Sequence, residues 1–219
     1  MEKISYIFLL FVIYSICGWI IEVTLKLFTE RKFINRGFFI GPYCPIYGVG
    51  ALLVINLLTR FLGRPLIVFL LSVLICSIVE YSTSFILEKL FNTSWWDYSD
   101  EKFNINGRIC LETMLLFGLG CLFVLYVVNP FINKLLLKIP SNILVIIAIV
   151  IFVIILTDVI ISLIIIIKFS KISENSKSDS TEIVTRYVRN AIIKTGKVLY
   201  IRFINAFPNF KIIRKKRQK

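Results

Sequence analysis

Residues 142–167 read NILVIIAIVIFVIILTDVIISLIIII, an apolar run whose only charged residue is Asp158. A run of about 20 apolar residues is long enough to cross the hydrocarbon core of a bilayer as one α-helix. Four further runs of this kind precede it: Ser5 to Phe28, Cys44 to Leu62, Pro65 to Leu90 and Ile109 to Val128. With 58% hydrophobic residues in the chain, this pattern predicts an all-α, polytopic membrane bundle of about five transmembrane helices.

Lys and Arg are concentrated on one side of this predicted bundle. The tail after Ile167 and the loops that follow the first and third spans are rich in both residues, whereas the remaining loops carry few. The positive-inside rule therefore predicts an N-terminus outside the cell and a cytoplasmic C-terminus. Because the second span is short and begins in a Gly/Pro-rich turn, a re-entrant course for it stays an alternative.

Composition divides the chain into a transmembrane domain (1–168), a polar Ser/Lys-rich linker (169–180) and a basic tail (181–219). Apolar residues recur at helical spacing among the charges of the tail, which predicts a basic amphipathic helix lying on the membrane surface. The polybasic end is predicted to contact anionic lipids through Arg214, Lys215, Lys216 and Arg217. Nucleic acid is the competing partner for such a cluster, and lipid is favoured because the tail is tethered to the bilayer.

Four carboxylates interrupt four different apolar runs: Glu22, Glu80, Glu112 and Asp158. On helices that rise about 1.5 Å per residue, all four would lie about 22 to 27 Å from the outer edge of the bilayer, in one layer of its inner half. An ionisable residue inside a membrane span is costly and by default marks a functional site. Since the chain has no histidine, zinc–histidine and Ser–His chemistry are excluded.

The polar residues near these acids leave two interpretations open. Ser84 and Glu88 continue a polar stripe along the third span, while Arg108 and Glu112 stand four residues apart and can pair. Four acids cannot all be ionised and unpaired in so dry a place, which favours a site for a ligand, an ion or a proton. Alternatively, the acids hold helices together by pairing with hydroxyl groups and with Arg36 and Arg108.

Two loops on the predicted inner side carry further candidates. The stretch FINRGFFIGPYCPIYGVG (33–50) cannot be a plain helix, and broken backbone at membrane depth is tolerated only when it is buried in protein or lines a cavity. Its candidate site residues are Asn35, Arg36, Tyr43 and Tyr47. It can equally be a tight loop that only starts the second span.

The second loop, WWDYSDEKFNINGR (95–108), fits either an interfacial aromatic belt or an aromatic lid over the acids. In the lid interpretation the candidate site residues are Trp96, Asp97 and Arg108.

These segments resemble a known bacterial family. The FINRGF run that ends in GPYCPIYG, the EYSTS segment at 80–84, WWDYS at 95–99 and NINGRICL at 104–111, together with Glu22, are similar to the family named Putative ABC-transporter type IV, or CmpB-type. The resemblance covers about residues 5–167 and implies a transporter permease in the bacterial cell (inner) membrane. It also implies a separate ATPase subunit, because the chain has no Walker A motif.

Three classes of function stay open. The first is a transporter or permease-like subunit with its polar site at the acids, expected to act as a homo-oligomer or with a partner because five spans enclose only a thin pore. The second is a membrane scaffold or regulator whose buried acids are structural. The third is an intramembrane enzyme that uses carboxylates as general acid and base. The sequence indicates no metal ligand set, and neither the cofactor nor the substrate follows from it.

Overall fold

The computed structural model describes residues 1–174, 181–195, 197–208 and 210–213. Its helices are α1 (Glu2–Glu30), α2 (Pro45–Leu58), α3 (Pro65–Phe91), α4 (Leu111–Phe123), α5 (Asn129–Leu136), α6 (Ser141–Glu174), α7 (Thr181–Thr195) and α8 (Val198–Ala206). Two short strands, β1 (Thr93–Ser94) and β2 (Lys211–Ile212), pair in antiparallel fashion. The prediction of an all-α membrane bundle is confirmed.

Four helical segments are long and apolar enough to cross a membrane: Glu2–Glu30, Pro65–Phe91, Leu111–Leu136 and Ser141–Lys168. The predicted second span differs from these four, since α2 and a 3₁₀ turn after it form a shorter apolar helix, Pro45–Phe61. The N–H of Cys44 donates to the backbone oxygen of Ser15 at 2.9 Å, so α2 begins beside the middle of α1. Between α1 and α3 the chain therefore runs through the bundle as the loop 31–44 followed by the short helix α2.

Two side-chain hydrogen bonds show which ends of the helices lie together. The Tyr6 hydroxyl donates to Oδ1 of Asn133 at 2.7 Å, and the Tyr126 hydroxyl donates to the backbone oxygen of Leu62 at 2.6 Å. The start of α1, the turn after α2 and the end of α5 thus share one end of the bundle. The loops 31–44 and 92–110 and the described part of the tail lie at the other end.

Helices α4 and α5 form one long segment with a π-helical turn, Val124–Val128, between them. Pro130 follows this turn, and a proline inside a helix lacks the N–H that would bond four residues back and crowds that carbonyl. A single π-turn allows the helix to continue past the missing hydrogen bond and the crowded carbonyl. It brings Oδ1 of Asn129 within 3.0 Å of the Tyr14 hydroxyl, which donates to it across to α1.

Helices α1 and α2 approach closely because glycine stands at their crossing. A Cβ atom on Gly48 would lie 2.3 Å from the Ser15 hydroxyl and 2.6 Å from the backbone oxygen of Phe11. Small residues at such crossings allow membrane helices to pack backbone against backbone. The close contact fixes the depth at which α2 begins.

The tail packs on the bundle instead of lying freely on the membrane surface. Val184, Val188 and Ile192 of α7 are 0% exposed and belong to a cluster with Trp95 and Ile166. The prediction that this apolar face meets lipid is therefore wrong, because helical periodicity reveals an apolar face but not what covers it. Helix α6 continues to Glu174 within the predicted linker. The rest of the linker and Arg214, Lys215, Lys216 and Arg217 lie outside the described residues.

Candidate functional site

Asp158 anchors the broken loop before α2. The N–H of Ile40 donates to its Oδ1 at 2.9 Å, and the N–H of Gly41 donates to its Oδ2 at 2.7 Å. The Tyr43 hydroxyl also donates to Oδ2, and the Ser162 hydroxyl donates to Oδ1 at 2.9 Å. An ionised carboxylate offers about four acceptor sites, so the hydrogen-bonding capacity of this buried acid is filled.

The loop that Asp158 holds lies at membrane depth. Helix α6 rises about 15 Å between Asp158 and Lys168, where its apolar segment ends. Helix α1 rises about 22 Å between Ser15, which receives the N–H of Cys44, and its end at Glu30. In a hydrocarbon core about 30 Å thick, this backbone lies well inside the bilayer. It is tolerated there because protein groups satisfy its N–H donors.

Asn35 fastens the same loop to α1. The Trp19 indole N–H donates to its Oδ1 at 2.7 Å, while its Nδ2 donates to the backbone oxygen of Ile40 at 3.0 Å. Both ends of the amide are used within the protein. Asn35 therefore shapes the loop by joining it to α1.

Glu22 is a half-buried acid, and it has partners on both carboxylate oxygens. The Tyr47 hydroxyl donates to Oε1 at 2.6 Å, and Nε of Arg36 lies 3.5 Å from Oε2. Nη1 of Arg36 also donates to the backbone oxygen of Ala206 at 2.6 Å. Arg36 thus links α1, the broken loop and the end of α8.

Glu80 is buried like Asp158 but is much more weakly hydrogen-bonded. It is 5% exposed, and the Tyr98 hydroxyl donates to its Oε1 at a distance of 3.3 Å. Its Oε2 is buried and meets no hydrogen-bond partner among the residues that the structure describes. Ser84, one turn further along α3, is buried on the same face.

Tyr98 is hydrogen-bonded to Glu80 and lies within electrostatic reach of Glu22. Burial, and then the negative charges of Glu80 and Glu22, raise the pKa of the Tyr98 hydroxyl, which keeps it protonated and able to donate. Tyr47 is likewise close enough to Tyr98 for the two to interact electrostatically. Glu22, Tyr47, Glu80 and Tyr98 are called the acidic site below.

Glu88 and Arg108 form a separate pair. Nη2 of Arg108 lies 2.8 Å from Oε2 of Glu88, and its guanidinium stands over the rings of Tyr81 and Phe85 at 5.3 and 5.5 Å. The Trp96 indole N–H donates to the backbone oxygen of Arg108 at 3.0 Å. These residues fix the loop 92–110 against α3 and do not join the acidic site.

The expected pairing of Arg108 with Glu112 is wrong. Arg108 precedes α4, so the i,i+4 spacing of a helix does not apply to it. Glu112 lies in the first turn of α4 and is exposed, where a carboxylate interacts favourably with the helix dipole. Of the four predicted acids, Glu80 and Asp158 are therefore buried, Glu22 is half-buried and Glu112 is exposed.

Asp97 faces the tail. Nζ of Lys211 lies 2.5 Å from its Oδ2, and the N–H of Ser99 donates to its Oδ1 at 2.9 Å. The hydrogen bond from Lys211 is the main cause that lowers the pKa of Asp97, and the same bond raises the pKa of Lys211. Asp97 thus helps to fasten the tail to the loop 92–110, at the place where β1 pairs with β2.

Three residues of this end of the molecule were not among the predicted candidates. Tyr98 stands inside the quoted WWDYS motif, and its place between two acids could have been proposed from the motif. Trp95 packs edge-on against Phe203 at 5.3 Å. Arg202 donates from Nη2 to the backbone oxygen of Phe39, and its Nε and Nη1 are buried without a partner in the described part of the chain. No sequence pattern signals these contacts between the tail and the loops.

The helices, the anchored loop and the buried acids define a multi-pass helical membrane protein with a polar interior. The chain belongs to the family described as Putative ABC-transporter type IV, whose model matches residues 9–163, so the resemblance seen in the motifs is confirmed. The match ends within α6 and leaves out the tail. No curated protein and no solved structure matches the chain. Over the described ranges, no three His, Cys, Asp or Glu side chains come together as a metal site.

Proposed function

We propose that the protein is a transporter or permease-like subunit of the bacterial cell membrane whose substrate or ion is bound at the acidic site. The observation that carries this proposal is Glu80, a buried acid beside a second acid, with one oxygen that has no partner in the described structure. Buried ionisable groups in membrane spans that lack internal partners typically lie on a substrate, ion or proton pathway.

The backbone around the site supports the same function. Discontinuous helices at the midplane, whose N-termini carry a partial positive charge, form the substrate sites of many transporters. Helix α2 begins at such a depth, and Tyr47 in its first turn donates to Glu22. The loop 31–44 supplies the unwound segment of this arrangement.

The proposed orientation places the N-terminus outside and the tail in the cytoplasm. The loops 31–44 and 92–110 and the described part of the tail lie at one end of the bundle. These loops with their flanking helix ends, together with the sequence after Ile167, hold most of the Lys and Arg of the chain. If the protein works with an ATPase, as the family description suggests, that ATPase is a separate subunit and meets this end. Because few helices surround the site, a homo-oligomer or a partner subunit would complete the pathway.

The tail supports a further part of the proposal, contact with anionic lipids. Ile183, Arg186, Tyr187 and Lys194 are exposed on α7, on the opposite side from its buried face. Apolar and basic side chains on one exposed face suit the headgroup region of an anionic leaflet. The polybasic segment 214–217 would add to this attraction, whereas nucleic acid is the less favoured partner.

A membrane scaffold is the second candidate, and Asp158 is the observation that favours it. The four hydrogen bonds that this acid accepts account fully for its presence as structural glue. If Glu80 had the same role, the acidic site would need no ligand. The two candidates therefore differ in what they predict for Glu80.

A thermal-shift experiment on the purified full chain tests the proposal. The wild type, Glu80→Gln and Glu112→Gln would be heated with a panel of monovalent and divalent cations, pH values and small metabolites. A ligand that binds only the native state stabilises it by about 2.7 kcal/mol at a hundredfold excess over Kd. We expect one ligand to raise the Tm of the wild type and of the exposed-acid control, Glu112→Gln, but not of Glu80→Gln. No shift with any ligand, together with a uniform loss of stability in Glu80→Gln, would favour the scaffold.

A further inference from the structure

Glu80 differs from Asp158 and Glu22 in its partners. Asp158 accepts four hydrogen bonds, and Glu22 has the guanidinium of Arg36 beside it. Glu80 has only the hydroxyl of Tyr98, at 3.3 Å, and its second oxygen is unpaired within the described ranges. The site therefore holds two acids and a single nearby guanidinium, which is used by Glu22.

Among the residues that the structure describes, no cation faces Glu80. The groups that face it are Tyr98 from the loop 92–110, Glu22 from α1 with Tyr47 of α2 behind it, and Cys76 from α3 with Cys121 of α4 behind it. Two of these groups are hydroxyls, two are thiols and one is itself an acid. A buried carboxylate in such surroundings is costly, and it either takes up a proton or gains an external cation.

We propose that Glu80 is a proton-binding site, whose carboxyl group takes up and releases a proton beside a Glu22 that is paired with Arg36. On release, the O–H bond of the Glu80 carboxyl breaks, and the proton passes to water at the end of the bundle where the loops and the tail lie. The Tyr98 hydroxyl then donates to the carboxylate that remains. This inference rests on the proposed function, because it names a proton as the ion that the acidic site exchanges.

A proton is favoured over a metal ion by the oxygen donors at hand. Hard cations need six or more oxygen ligands in the case of Ca²⁺, or a near-octahedral set in the case of Mg²⁺. Glu80 offers its own two oxygens and the Tyr98 hydroxyl at 3.3 Å, while the two oxygens of Glu22 are already engaged by the Tyr47 hydroxyl and by Arg36. A proton needs only the carboxylate itself.

Infrared difference spectroscopy of the full chain in lipid nanodiscs tests the inference directly. A protonated carboxyl group has a C=O stretching band that an ionised one lacks. We expect such a band in the wild type, its loss as the pH is raised, its absence in Glu80→Gln and its persistence in the control Glu112→Gln. A spectrum in which Glu80→Gln removes no titrating band would overturn the inference.

Two further variants test it without removing Glu80, in case Glu80→Gln does not fold. Tyr98→Phe removes the donor that stabilises the carboxylate, so the band should vanish about one pH unit higher. Glu22→Gln removes the neighbouring negative charge, so the band should vanish about one pH unit lower. Equal midpoints in the wild type and both variants would also overturn the inference.

The outcomes separate this inference from the proposed function. A ligand shift that Glu80→Gln abolishes, without a titrating band, would keep the binding site and exclude the proton. A titrating band without any ligand shift would keep the proton site and count against transport of a further substrate.

Discussion

Replacing Asp158 with alanine should release the broken loop from the bundle. The change leaves the N–H groups of Ile40 and Gly41 without acceptors inside the membrane. Each unsatisfied buried donor costs about 1–3 kcal/mol, so the two amides alone should lower the free energy of unfolding by about 2–6 kcal/mol. The hydroxyls of Tyr43 and Ser162 also lose their acceptor, but they can rotate toward others. Asp158→Asn keeps one acceptor oxygen and should fall between alanine and the wild type.

Two measurements would check this prediction. Thermal unfolding in detergent reports the loss of stability, and the reaction of Cys44 with a thiol reagent reports release of the loop, because Cys44 is buried next to it. The other native cysteines would be replaced in every protein compared. Thr157→Ala is the matched control, since Thr157 is the preceding residue on α6 and is exposed. If Asp158→Ala matched Thr157→Ala in both Tm and labelling rate, the loop would not depend on this carboxylate.

Three other changes should have defined effects. The Asp97–Lys211 pair lowers the pKa of Asp97, so its contribution to the stability of the docked tail is present above about pH 4, the ordinary pKa of an aspartate, and is lost as the pH falls through the lowered pKa. As a largely exposed pair it contributes at most about 1 kcal/mol. Lys211→Ala should therefore abolish the acid dependence of the protection of the tail in hydrogen exchange. Gly48→Ala should destabilise the protein by about 1–3 kcal/mol in thermal unfolding, because its Cβ would press on the α1 backbone, whereas Gly120→Ala meets no atom within 4 Å and should be neutral. Val188→Asp, at a position that is 0% exposed, should detach the tail and expose it to proteases while the transmembrane helices stay protected. A Lys211→Ala protein with an unchanged pH profile would contradict the Asp97–Lys211 pair. A fully stable Gly48→Ala protein would contradict the close contact of α1 with α2, and a protease-resistant tail in Val188→Asp would contradict the packing of α7.

The long helices could be predicted from the sequence because bilayer thickness sets their length. Four of the five predicted spans correspond to helices that are long enough to cross. The second span could not be predicted in the same way. Hydropathy counts apolar residues, but it does not reveal that α2 begins beside Ser15 in the middle of α1. That depth depends on the closeness of Gly48 to α1 and on hydrogen bonds from the loop to Asp158, both of which are tertiary contacts.

The buried acids were only partly predictable. Spacing along continuous helices placed Glu22, Glu80 and Asp158 inside the bundle, and the structure buries Glu80 and Asp158 but leaves Glu22 half-buried. Glu112 was misplaced because Arg108, its expected partner, lies in a loop and pairs with Glu88 instead. The sequence also could not show which acid is fully hydrogen-bonded and which is not, because this depends on the backbone amides and hydroxyls that reach each carboxylate in the folded protein.

The tail shows a different limit of sequence analysis. Its apolar spacing correctly indicates an amphipathic helix, and α7 forms where expected. The same spacing suits a membrane surface or a protein surface equally well. Pairing of β2 with β1 and the packing of Trp95 against α8 decide between these two surfaces, and neither contact is encoded locally.

Cysteine accessibility at position 80 tests the central claim most directly, namely that Glu80 belongs to a site that water and ligand can reach. Glu80→Cys, Ile78→Cys on the exposed apolar face of α3 and Ser72→Cys in its fully buried interior would be made without the native cysteines. Membrane vesicles of both orientations would be treated with a membrane-impermeant thiol reagent. We predict labelling of Glu80→Cys from the side of the loops and the tail, and no labelling of Ile78→Cys or Ser72→Cys. If Glu80→Cys were as unreactive as Ser72→Cys from both sides, Glu80 would be a packed structural group and the proposed site would not exist.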